Sequence, residues 1–436
     1  MTERTSAISG FYKLSVEERR RFVQEWAGLT DAEALAYEFP PGVDPGIFSR
    51  MVENVVGVLP LPLGIATHFR INAKDYLVPM AIEEPSVVAA ASNAAKVARL
   101  TGGFTTHTTD PVMIGQIQVV GVGDPAAARL RILSEREKLL AAANAKDPML
   151  VKFGGGAKDL DVRILPSPRG TMLVVHLLVD ARDAGGMNAV NTMCEALAPE
   201  VARLAQGRVV LRIITNLAVL RLARATATFP AAALATENAT GPEVVETILD
   251  AYTLALVDPF RCATHNKGIM NGISSVVVAT GNDFRAIESG AHTYAAFLAR
   301  QDGSVVRPLT TYEKDRDGNL VGTIELPTAV GLIGGATAVH PTARANVKVL
   351  GVKGAQELAG VLAAVGLAQN FAALRALATE GIQRGHMELH ARNIAVTAGA
   401  TADEVDRVVA RLVADHAIRI DRAKEILDEL RRGPVA

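Results

Sequence analysis

The 436-residue sequence predicts an α+β protein in which a small domain of alternating strands and helices is inserted into a larger, mainly helical domain. Two observations lead to this prediction. Hydrophobic residues make up 49% of the chain but aromatic residues only 4%, which is typical of alanine-rich core helices. Short strand-like runs are concentrated between residues 112 and 216, and long helical patterns occur on both sides of that segment.

The inserted segment alternates strands and helices of similar size. The order strand, helix, strand, strand, helix, strand is that of a split βαβ, or ferredoxin-like, domain. We therefore expect a large domain at 1–110 and 217–376, the inserted domain at 111–216, and a small helical flap at 377–436. The strands are predicted at 113–122, 160–165, 171–180 and 208–215, and the helices at about 124–144 and 183–205, the second opened by Asp183.

The flanking segments are predicted to be mostly helical. Ser15 has the side chain of an N-cap for a helix over 16–27. A single small-residue helix is expected from 83 to 103, and one very hydrophobic strand from 274 to 280. The C-terminal flap, with three helical patterns, is expected to be mobile.

Charge and cysteine content exclude several classes of protein. The 45 Lys and Arg residues balance 46 Asp and Glu residues, so we expect no nucleic-acid partner. The two cysteines cannot form a disulfide framework, and no residues have metal-ligand spacing, so no metal is expected. No signal peptide is evident, and the most apolar stretch, 358–378, contains polar residues that make it fall short of a spanning helix. We expect a cytoplasmic protein with no membrane partner.

Two segments place reactive groups at predicted helix starts. The adjacent carboxylates of Glu83 and Glu84 suit either the helix dipole or, when buried, acid catalysis. The glycine pair Gly185 and Gly186 follows a strand, and its turn suits either an Asp183 helix cap or a phosphate bound by backbone N–H groups. The residues alone leave both pairs of alternatives open.

Two further segments concentrate polar side chains. His386 follows a glycine on the predicted flap, and is either a structural histidine or one that delivers a proton when the flap closes. The segment 258–283 suits either a buried ion pair or a site that stabilises an oxyanion. Its polar residues are Arg261, His265, Lys267, Asn271 and Asp283.

Together these motifs resemble the 3-hydroxy-3-methylglutaryl-CoA (HMG-CoA) reductase family, and in detail its class II, mostly bacterial branch. The resemblance extends over nearly the whole chain and depends on six motifs in order. They are ENVVG at 53–57, VPMAIEEPSVVAAAS at 78–92, DAGGMN at 183–188, THNKGIMNG at 264–272, ATGND at 279–283 and EGIQRGHMELHARN at 380–393.

The resemblance implies a reversible two-step redox reaction that interconverts HMG-CoA and mevalonate through mevaldyl-CoA and mevaldehyde. The family's catalytic residues correspond here to Glu84, Lys267, Asp283 and His386. Lys267 would hold the thioester oxygen as it becomes an oxyanion, and Asp283 would position that lysine. Glu84 would exchange the proton on the mevaldehyde oxygen, and His386 would protonate the departing CoA thiolate.

The resemblance also assigns the binding residues. Arg261 is suited to the substrate carboxylate, with Ser86, Asn271 and Asn370 as neutral partners. Asp147 matches an acid that accepts a bond from the adenine ribose and repels a 2′-phosphate, which predicts NAD over NADP. The inserted domain would hold the nicotinamide cofactor with Asp147, Asp183, Gly185, Gly186, Met187, Asn188 and Asn216.

One position departs from the family. The family's motif is D-A-M-G, and Gly185 stands in place of the methionine. Loss of that side chain is expected to loosen the turn and change the affinity for the cofactor.

Members of the family are dimers with active sites shared across the interface, and residues 53–57 lie in the family's dimer motif. We therefore expect a homodimer or an assembly of dimers, with CoA as a co-substrate. Three alternatives are an NADP-using enzyme that makes mevalonate, a cofactor-free CoA-thioester hydrolase or lyase, and a non-catalytic CoA-binding regulator. The catalytic residues serve both directions, although a preference for NAD would indicate mevalonate breakdown.

Overall fold

The computed structural model describes residues 5–41, 43–301, 303–379 and 391–432, and these form an α+β fold with three antiparallel sheets. One hydrophobic core is built from residues on both sides of the insertion, between 66 and 104 and between 222 and 374. A second core lies within 113–218 and a third within 391–427. The chain therefore has one large core, interrupted in sequence by a second, and a small separate core near its C-terminal end.

The elements are numbered in chain order. The strands are β1 (Leu63–Ile71), β2 (Lys74–Ala81), β3 (Thr105–Thr108), β4 (Val112–Val120), β5 (Gly156–Leu165), β6 (Met172–Asp180), β7 (Arg208–Ile214), β8 (Leu222–Phe229), β9 (Thr310–Lys314) and β10 (Leu320–Pro327). The helices are α1 (Val16–Ala27), α2 (Asp31–Ala34), α3 (Pro45–Met51), α4 (Val87–Ala98), α5 (Pro125–Ser134), α6 (Arg136–Asn144), α7 (Pro148–Lys152), α8 (Met187–Ala205), α9 (Gly241–Val257), α10 (Pro259–Ala279), α11 (Phe284–Ala299), α12 (Gly335–Val339), α13 (Pro341–Leu350), α14 (Ala355–Thr379), α15 (described over 391–397), α16 (Ala402–Ala414) and α17 (Ile420–Arg432).

The inserted segment has the predicted ferredoxin-like fold. Its sheet has the order β5-β6-β4-β7 with every neighbouring pair antiparallel, which is the order of a split βαβ unit. Helices α5, α6 and α8 pack on this sheet and bury the second core. The helix predicted over 124–144 is interrupted at Glu135, where α5 ends and α6 begins. β5 begins at Gly156, earlier than the predicted residue 160.

The longest helix, α14, crosses the large core. Nearly every side chain from Leu358 to Phe371 is buried on it, and it packs against α10, α4 and β8. By length and hydropathy α14 could cross a membrane, contrary to the expectation from 358–378, although 67% of its most apolar window is buried inside the protein. It is the core helix around which the large domain is built.

The strand predicted over 274–280 is wrong. These residues form the last turns of α10, which runs without interruption from Pro259 to Ala279. Val276 and Val277 are fully buried in the large core. Their β-branched side chains favour a strand locally, but packing against neighbouring helices decides the conformation.

The starts of α1 and α4 can be compared with the predicted helix starts, and that of α4 differs near candidate site residues. Ser15 is the N-cap of α1 as predicted, and Glu18 completes a capping box with it. The helix expected from residue 83, however, begins only at Val87, so Glu83 and Glu84 lie in the turn before α4. Ser86 adopts a left-handed conformation with φ 74°, which ends the extended chain and starts the helix.

Helices α15, α16 and α17 pack together around the small C-terminal core. Thr401 and Glu404 form a capping box at the start of α16, and Arg431 of α17 bonds to Glu404, which joins the two helices. Three helical stretches in this region agree with the sequence pattern.

Candidate active site

A cleft of about 330 Å³ in the large domain brings together six of the residues proposed from the sequence. It lies between the turn that precedes α4, one face of α10 and the C-terminal half of α14. The six residues are Glu84, Ser86, Arg261, Lys267, Asn271 and Asn370.

The helical periodicity of α10 explains why its polar residues face one cleft. Arg261, Thr264, Gly268 and Asn271 are spaced three or four residues apart, which places them on one side of a helix. A side chain at Gly272 would approach the Cβ of Gln369 to 2.9 Å, so this glycine lets α10 lie directly against α14. The close approach of the two helices forms the floor of the cleft.

The carboxylate of Glu84 meets two donors from α10. Lys267 Nζ and Asn271 Nδ2 each lie 3.2 Å from Glu84 Oε2. The side chains of Lys267 and Glu84 are 62% and 34% exposed, so the pair is open to a ligand. Glu83 is exposed and does not line the cleft, whereas Glu84 does.

Two further side chains in the cleft are available to a ligand. Arg261 is half-buried, and its guanidinium makes no hydrogen bond or ion pair with any residue that the structure describes. Ser86 stands at the N-cap position of α4, but its hydroxyl makes no capping hydrogen bond. A strained backbone at a non-glycine residue is common where a side chain is aimed at a ligand.

Asn370 lies in a buried hydrogen-bond network instead of pointing freely into the cleft. It is 2% exposed, and its Oδ1 accepts hydrogen bonds from Thr310 Oγ1 at 3.0 Å and the Tyr312 hydroxyl at 2.9 Å. Because the Thr310 hydroxyl hydrogen is used there, the contact of 2.6 Å between His265 Nε2 and Thr310 Oγ1 has the histidine as donor. Its buried Nδ1 has no hydrogen-bond partner among the described residues, and burial together with nearby Arg261 lowers the pKa of His265 to about 3, so the imidazole is neutral.

Thr310 and Tyr312, both on β9, were missed by the sequence analysis. They are ordinary strand residues far from Asn370 in sequence, and no local pattern links them to α14. Only the packing of the sheet against α10 and α14 reveals their role in holding the wall of the cleft.

Asp283 does not reach the cleft of its own chain. It is the N-cap of α11, where its Oδ1 accepts hydrogen bonds from the N–H groups of Arg285 and Ala286 at 3.0 and 3.3 Å. More than three turns of α10 separate Lys267 from Ala279, which is about 18 Å at 1.5 Å per residue. Lys267 pairs with Glu84, and Asp283 caps α11 beyond the far end of α10, so the two residues do not contact each other within one chain.

The DAGGMN turn links β6 to α8. The expectation that Asp183 opens the helix is wrong, because Gly186 occupies the N-cap position and α8 begins at Met187. Asp183 Oδ1 instead accepts a hydrogen bond of 2.7 Å from the N–H of Ala355, at the start of α14. Its backbone carbonyl accepts another from Leu332 at 2.9 Å, so the turn is held against the large domain.

The two glycines of this turn differ in what they tolerate. Gly186 is left-handed with φ 92°, and a Cβ there would lie 2.9 Å from the Cβ of Ala181 and 3.0 Å from Met113 Cγ. A Cβ at Gly185 would lie 3.1 Å from Sδ of the flexible Met187 side chain and 4.0 Å from the carbonyl oxygen of Ala329, so it needs only a small shift of Met187. The turn thus presents backbone before the unpaired N–H groups of α8, with only the flexible Met187 side chain beside Gly185, and this fits the phosphates of a dinucleotide.

Asp147 lies at the same end of the small sheet as this turn. It caps α7, with its Oδ1 accepting a hydrogen bond of 2.9 Å from the N–H of Leu150, and it is half-buried. Arg182 donates a hydrogen bond of 2.6 Å to the carbonyl of Gly154, which ties the chain after α7 to the segment just before the DAGGMN turn. Capping uses one oxygen of Asp147, and its second oxygen makes no hydrogen bond with a described residue.

The remaining predicted residues are less constrained. Asn188 is exposed in the first turn of α8, Met187 covers Gly185, and Asn216 is exposed in the segment between β7 and β8. His386 lies outside the described residues. No interaction partner is therefore described for it.

Other chemistries find little support among the described residues. No group of three or more His, Cys, Asp or Glu within them is arranged to hold a metal ion. Burial raises the pKa of Cys194 to about 12 and of Cys262 to about 11. Both thiols are thus protonated at neutral pH and are poor nucleophiles.

Comparison with known proteins agrees with the resemblance drawn from the motifs. A protein from Archaeoglobus fulgidus named 3-hydroxy-3-methylglutaryl-coenzyme A reductase is 61% identical over 427 residues, covering 98% of this chain and 95% of that protein. A probable 3-hydroxy-3-methylglutaryl-coenzyme A reductase from Borreliella burgdorferi is 32% identical over 396 residues, covering 89% of this chain and 88% of that protein.

The solved structures extend the same relation to three dimensions. The class II 3-hydroxy-3-methylglutaryl-CoA reductase from Streptococcus pneumoniae, bound to NADPH in open conformations, aligns with a TM-score of 0.74 and 38% identity, covering 96% of this chain and all of that one. The family model described as hydroxymethylglutaryl-coenzyme A reductase matches residues 15–391. The chain therefore belongs to the hydroxymethylglutaryl-coenzyme A reductase family, and its structural neighbours place it with the class II enzymes.

Proposed function

We propose that this enzyme catalyses the reversible conversion of (R)-mevalonate, CoA and two NAD⁺ to HMG-CoA and two NADH, through mevaldehyde and mevaldyl-CoA. The observation that carries the proposal is the cleft in which Lys267 and Asn271 converge on Glu84 beside an unpaired Arg261. A cation for an oxyanion, a carboxyl group for proton exchange and a guanidinium for a substrate carboxylate are the groups that this reaction requires.

The chemistry follows from this arrangement. A bound nicotinamide supplies or accepts hydride at each step. Lys267 stabilises the negative charge that develops on the thioester oxygen, and Glu84, 3.2 Å away, exchanges the proton on the aldehyde oxygen. Arg261 fixes the carboxylate of the substrate. His386 is proposed to protonate the CoA thiolate as it leaves.

The geometry of one chain also supports a shared active site. Asp183 contacts Ala355 at the first turn of α14, whereas Asn370 and the cleft lie near its other end, about 22 Å along the helix. Reacting atoms must approach to about 3–3.5 Å. Asp283 also does not reach Lys267 of its own chain. The cleft of one copy therefore needs the DAGGMN turn and Asp283 of another copy to complete an active site.

Asp283 and the cofactor turn belong to the same half. The neighbouring Asn282 accepts a hydrogen bond of 2.8 Å from the N–H of Gly331, and a Cβ on Gly331 would lie 2.4 Å from Gly185 N. We infer a homodimer in which the cleft of one copy faces the DAGGMN turn and Asp283 of the other. CoA and HMG-CoA would enter at this junction.

The choice between NAD and NADP depends on Asp147. Its second oxygen is available to a ribose hydroxyl and would repel a 2′-phosphate. The Streptococcus pneumoniae neighbour binds NADPH, so the preference must be tested on this chain. Preference for NAD would favour mevalonate breakdown as the physiological direction.

We retain the domain limits 1–110 with 217–376, 111–216 and 377–436 as a proposal, supported by the three separate cores. The last segment would act as the flap that carries His386. A cytoplasmic location remains part of the proposal.

The first test is the absorbance of reduced nicotinamide in a mixture of the purified protein, mevalonate and CoA, with either NAD or NADP. A CoA-dependent signal with NAD supports the proposed reaction. A shift of cofactor preference from NAD to NADP in Asp147→Asn supports the role of Asp147 in cofactor choice. A preference for NADP in the wild type contradicts the role of Asp147 and leaves the reaction intact. Absence of a signal with either cofactor contradicts the reductase proposal and favours a thioester hydrolase or a CoA-binding regulator.

The shared site is tested by mixing inactive variants. In the proposed dimer each active site takes Lys267 from one copy and Asp283 from the other. A dimer of one Lys267→Ala copy and one Asp283→Ala copy therefore has one active site with neither change and one with both. Co-expression is expected to restore up to half of the activity per mixed dimer. No recovery in a verified mixed dimer would mean that both residues act within one chain, contrary to the proposal.

A further inference from the structure

A buried arginine lies directly behind the DAGGMN turn. Arg221, in the segment between β7 and β8, is 5% exposed. Its Nη1 donates hydrogen bonds to the carbonyls of Ala184 at 3.0 Å and Gly185 at 3.4 Å. Its Nη2 donates to the carbonyl of Val330 at 2.5 Å and contacts that of Arg182 at 3.5 Å. One guanidinium therefore joins the turn to the large-domain loop beneath it.

Among the described residues the guanidinium forms no ion pair, although the charges of Asp180 and Asp183 offset its own in part. The nearest acids have other partners: Asp180 pairs with Arg182 at 3.1 Å, and Asp183 accepts from the N–H of Ala355. Burial lowers the pKa of Arg221 to about 10, so the group still carries its proton at neutral pH. All the direct hydrogen bonds of this cation go to carbonyls, so its positive charge lies directly behind the turn.

The peptide geometry gives these hydrogen bonds a direction. In a planar trans peptide the C=O and N–H groups point to opposite sides. Because the carbonyls of Ala184 and Gly185 point to Arg221, the N–H groups of Gly185 and Gly186 point away from it. The arginine thus orients backbone donors as well as supplying charge.

Within the proposed function, we propose that Arg221 is the positioning residue for the cofactor pyrophosphate: it holds the DAGGMN turn with its N–H groups outward and adds its buried charge behind them. The residue does not touch the cofactor, and it acts through the turn. Its contribution should therefore be confined to ligands that carry the pyrophosphate.

The test compares three variants of the full-length enzyme. Arg221→Met removes charge and donors, and Arg221→Lys keeps the charge but cannot bond several carbonyls at once. Arg131→Met is the matched control, because Arg131 also donates to a carbonyl in the small domain, that of Leu204 at 2.7 Å. That carbonyl lies near the other end of α8, about 26 Å from Met187.

Binding is measured by calorimetry with NADH and ADP-ribose, and by ligand-observed NMR with adenosine, which has no phosphate. Arg221→Met is expected to weaken NADH and ADP-ribose at least tenfold, to change adenosine less than twofold, and to raise the KM for NADH without changing kcat or the KM for HMG-CoA. Arg221→Lys should fall between Arg221→Met and the wild type. Arg131→Met should bind all three ligands like the wild type.

The outcomes separate the two proposals. Failure of the wild type to bind NADH or ADP-ribose would reject the proposed function itself. If the wild type binds and Arg221→Met binds equally well, the positioning role is overturned. Equal losses for adenosine and ADP-ribose, with a lowered Tm, would show a purely structural role and also overturn it. If Arg221→Met does not fold, binding of the same ligands is measured with Arg221→Lys. An unchanged affinity of Arg221→Lys for ADP-ribose would then overturn the positioning role.

Discussion

The substrate cleft and the cofactor turn are built by opposite means. In the cleft, side chains on two helices and a strained turn project toward a ligand, and the Lys267 side chain is 62% exposed. At the DAGGMN turn the proposed binding surface is backbone, and the side chain that holds it, that of Arg221, is buried behind it. A change at the cleft therefore removes a reacting group, whereas a change near the turn acts through geometry.

This difference explains which residues were visible in the sequence. A cleft residue must have a definite chemical type, so Glu84, Lys267 and Arg261 stand out. A backbone site is supported by residues that hydrogen-bond within the protein, so their types do not reveal a binding role. Asp183 accepts a hydrogen bond from the N–H of Ala355, and Asp147 caps α7, although both are also candidate cofactor-binding residues.

Replacement of Lys267 by alanine should have the largest effect. Loss of the cation that meets Glu84 is expected to lower kcat by at least about 10³-fold while the Kd for NADH stays within twofold. Turnover and NADH binding are measured by absorbance and calorimetry. Lys424→Ala, at an exposed position on α17, serves as the control. Substantial turnover by Lys267→Ala would reject its assigned role.

Gly331→Ala should displace the DAGGMN turn without changing a residue of the cleft. Its new Cβ would lie 2.4 Å from Gly185 N and 2.8 Å from Ala184 C, so the backbone of the turn must move. We expect cofactor affinity to fall about tenfold, or about 1.4 kcal/mol, with little change in the KM for HMG-CoA. Gly123→Ala, which meets nothing within 4 Å, is the matched control. Normal NADH binding by Gly331→Ala would show that the turn tolerates displacement.

The buried His265 should make stability depend on pH. Its native pKa of about 3 lies below the usual value near 6.5, so between these values the unfolded chain binds a proton that the native state does not. Stability from this residue is complete above about pH 6.5 and is lost as the pH falls, at about 1.4 kcal/mol per pH unit.

Urea unfolding at pH 7.0 and 5.5 measures this effect. Wild-type protein should lose about 1.4 kcal/mol more stability than His265→Gln over that interval. Parallel losses in the two proteins would mean that His265 is protonated in the native state.

The smallest effect is expected from Gly185→Met, which restores the family's residue. The new Cβ would press mainly on the flexible end of Met187, at 3.1 Å from its Sδ, and the backbone of the turn is already held by Arg221. Cofactor affinity should change by less than about threefold, since the turn loses little freedom. Gly186→Ala, at the left-handed position, should weaken binding more. A larger effect at Gly185 than at Gly186 would contradict this division of roles.

Much of the fold followed from local patterns. The ferredoxin-like order, the Ser15 N-cap and the C-terminal helices depend on strand and helix periodicity and on capping residues, which act over a few positions. The strand over 274–280 and the helix starts at residue 83 and at Asp183 were wrong because packing or a left-handed residue outweighed local preference.

The sequence by itself determined the family and the chemical types in the cleft, because catalysis requires particular side chains in ordered motifs. Only the tertiary structure placed Asp283 more than three turns of helix away from Lys267 and put Arg221 behind the cofactor turn. It also showed that Thr310 and Tyr312 hold Asn370. These relations join residues far apart in the chain, and their distances are set by helix lengths and core packing, which no local pattern of residues encodes.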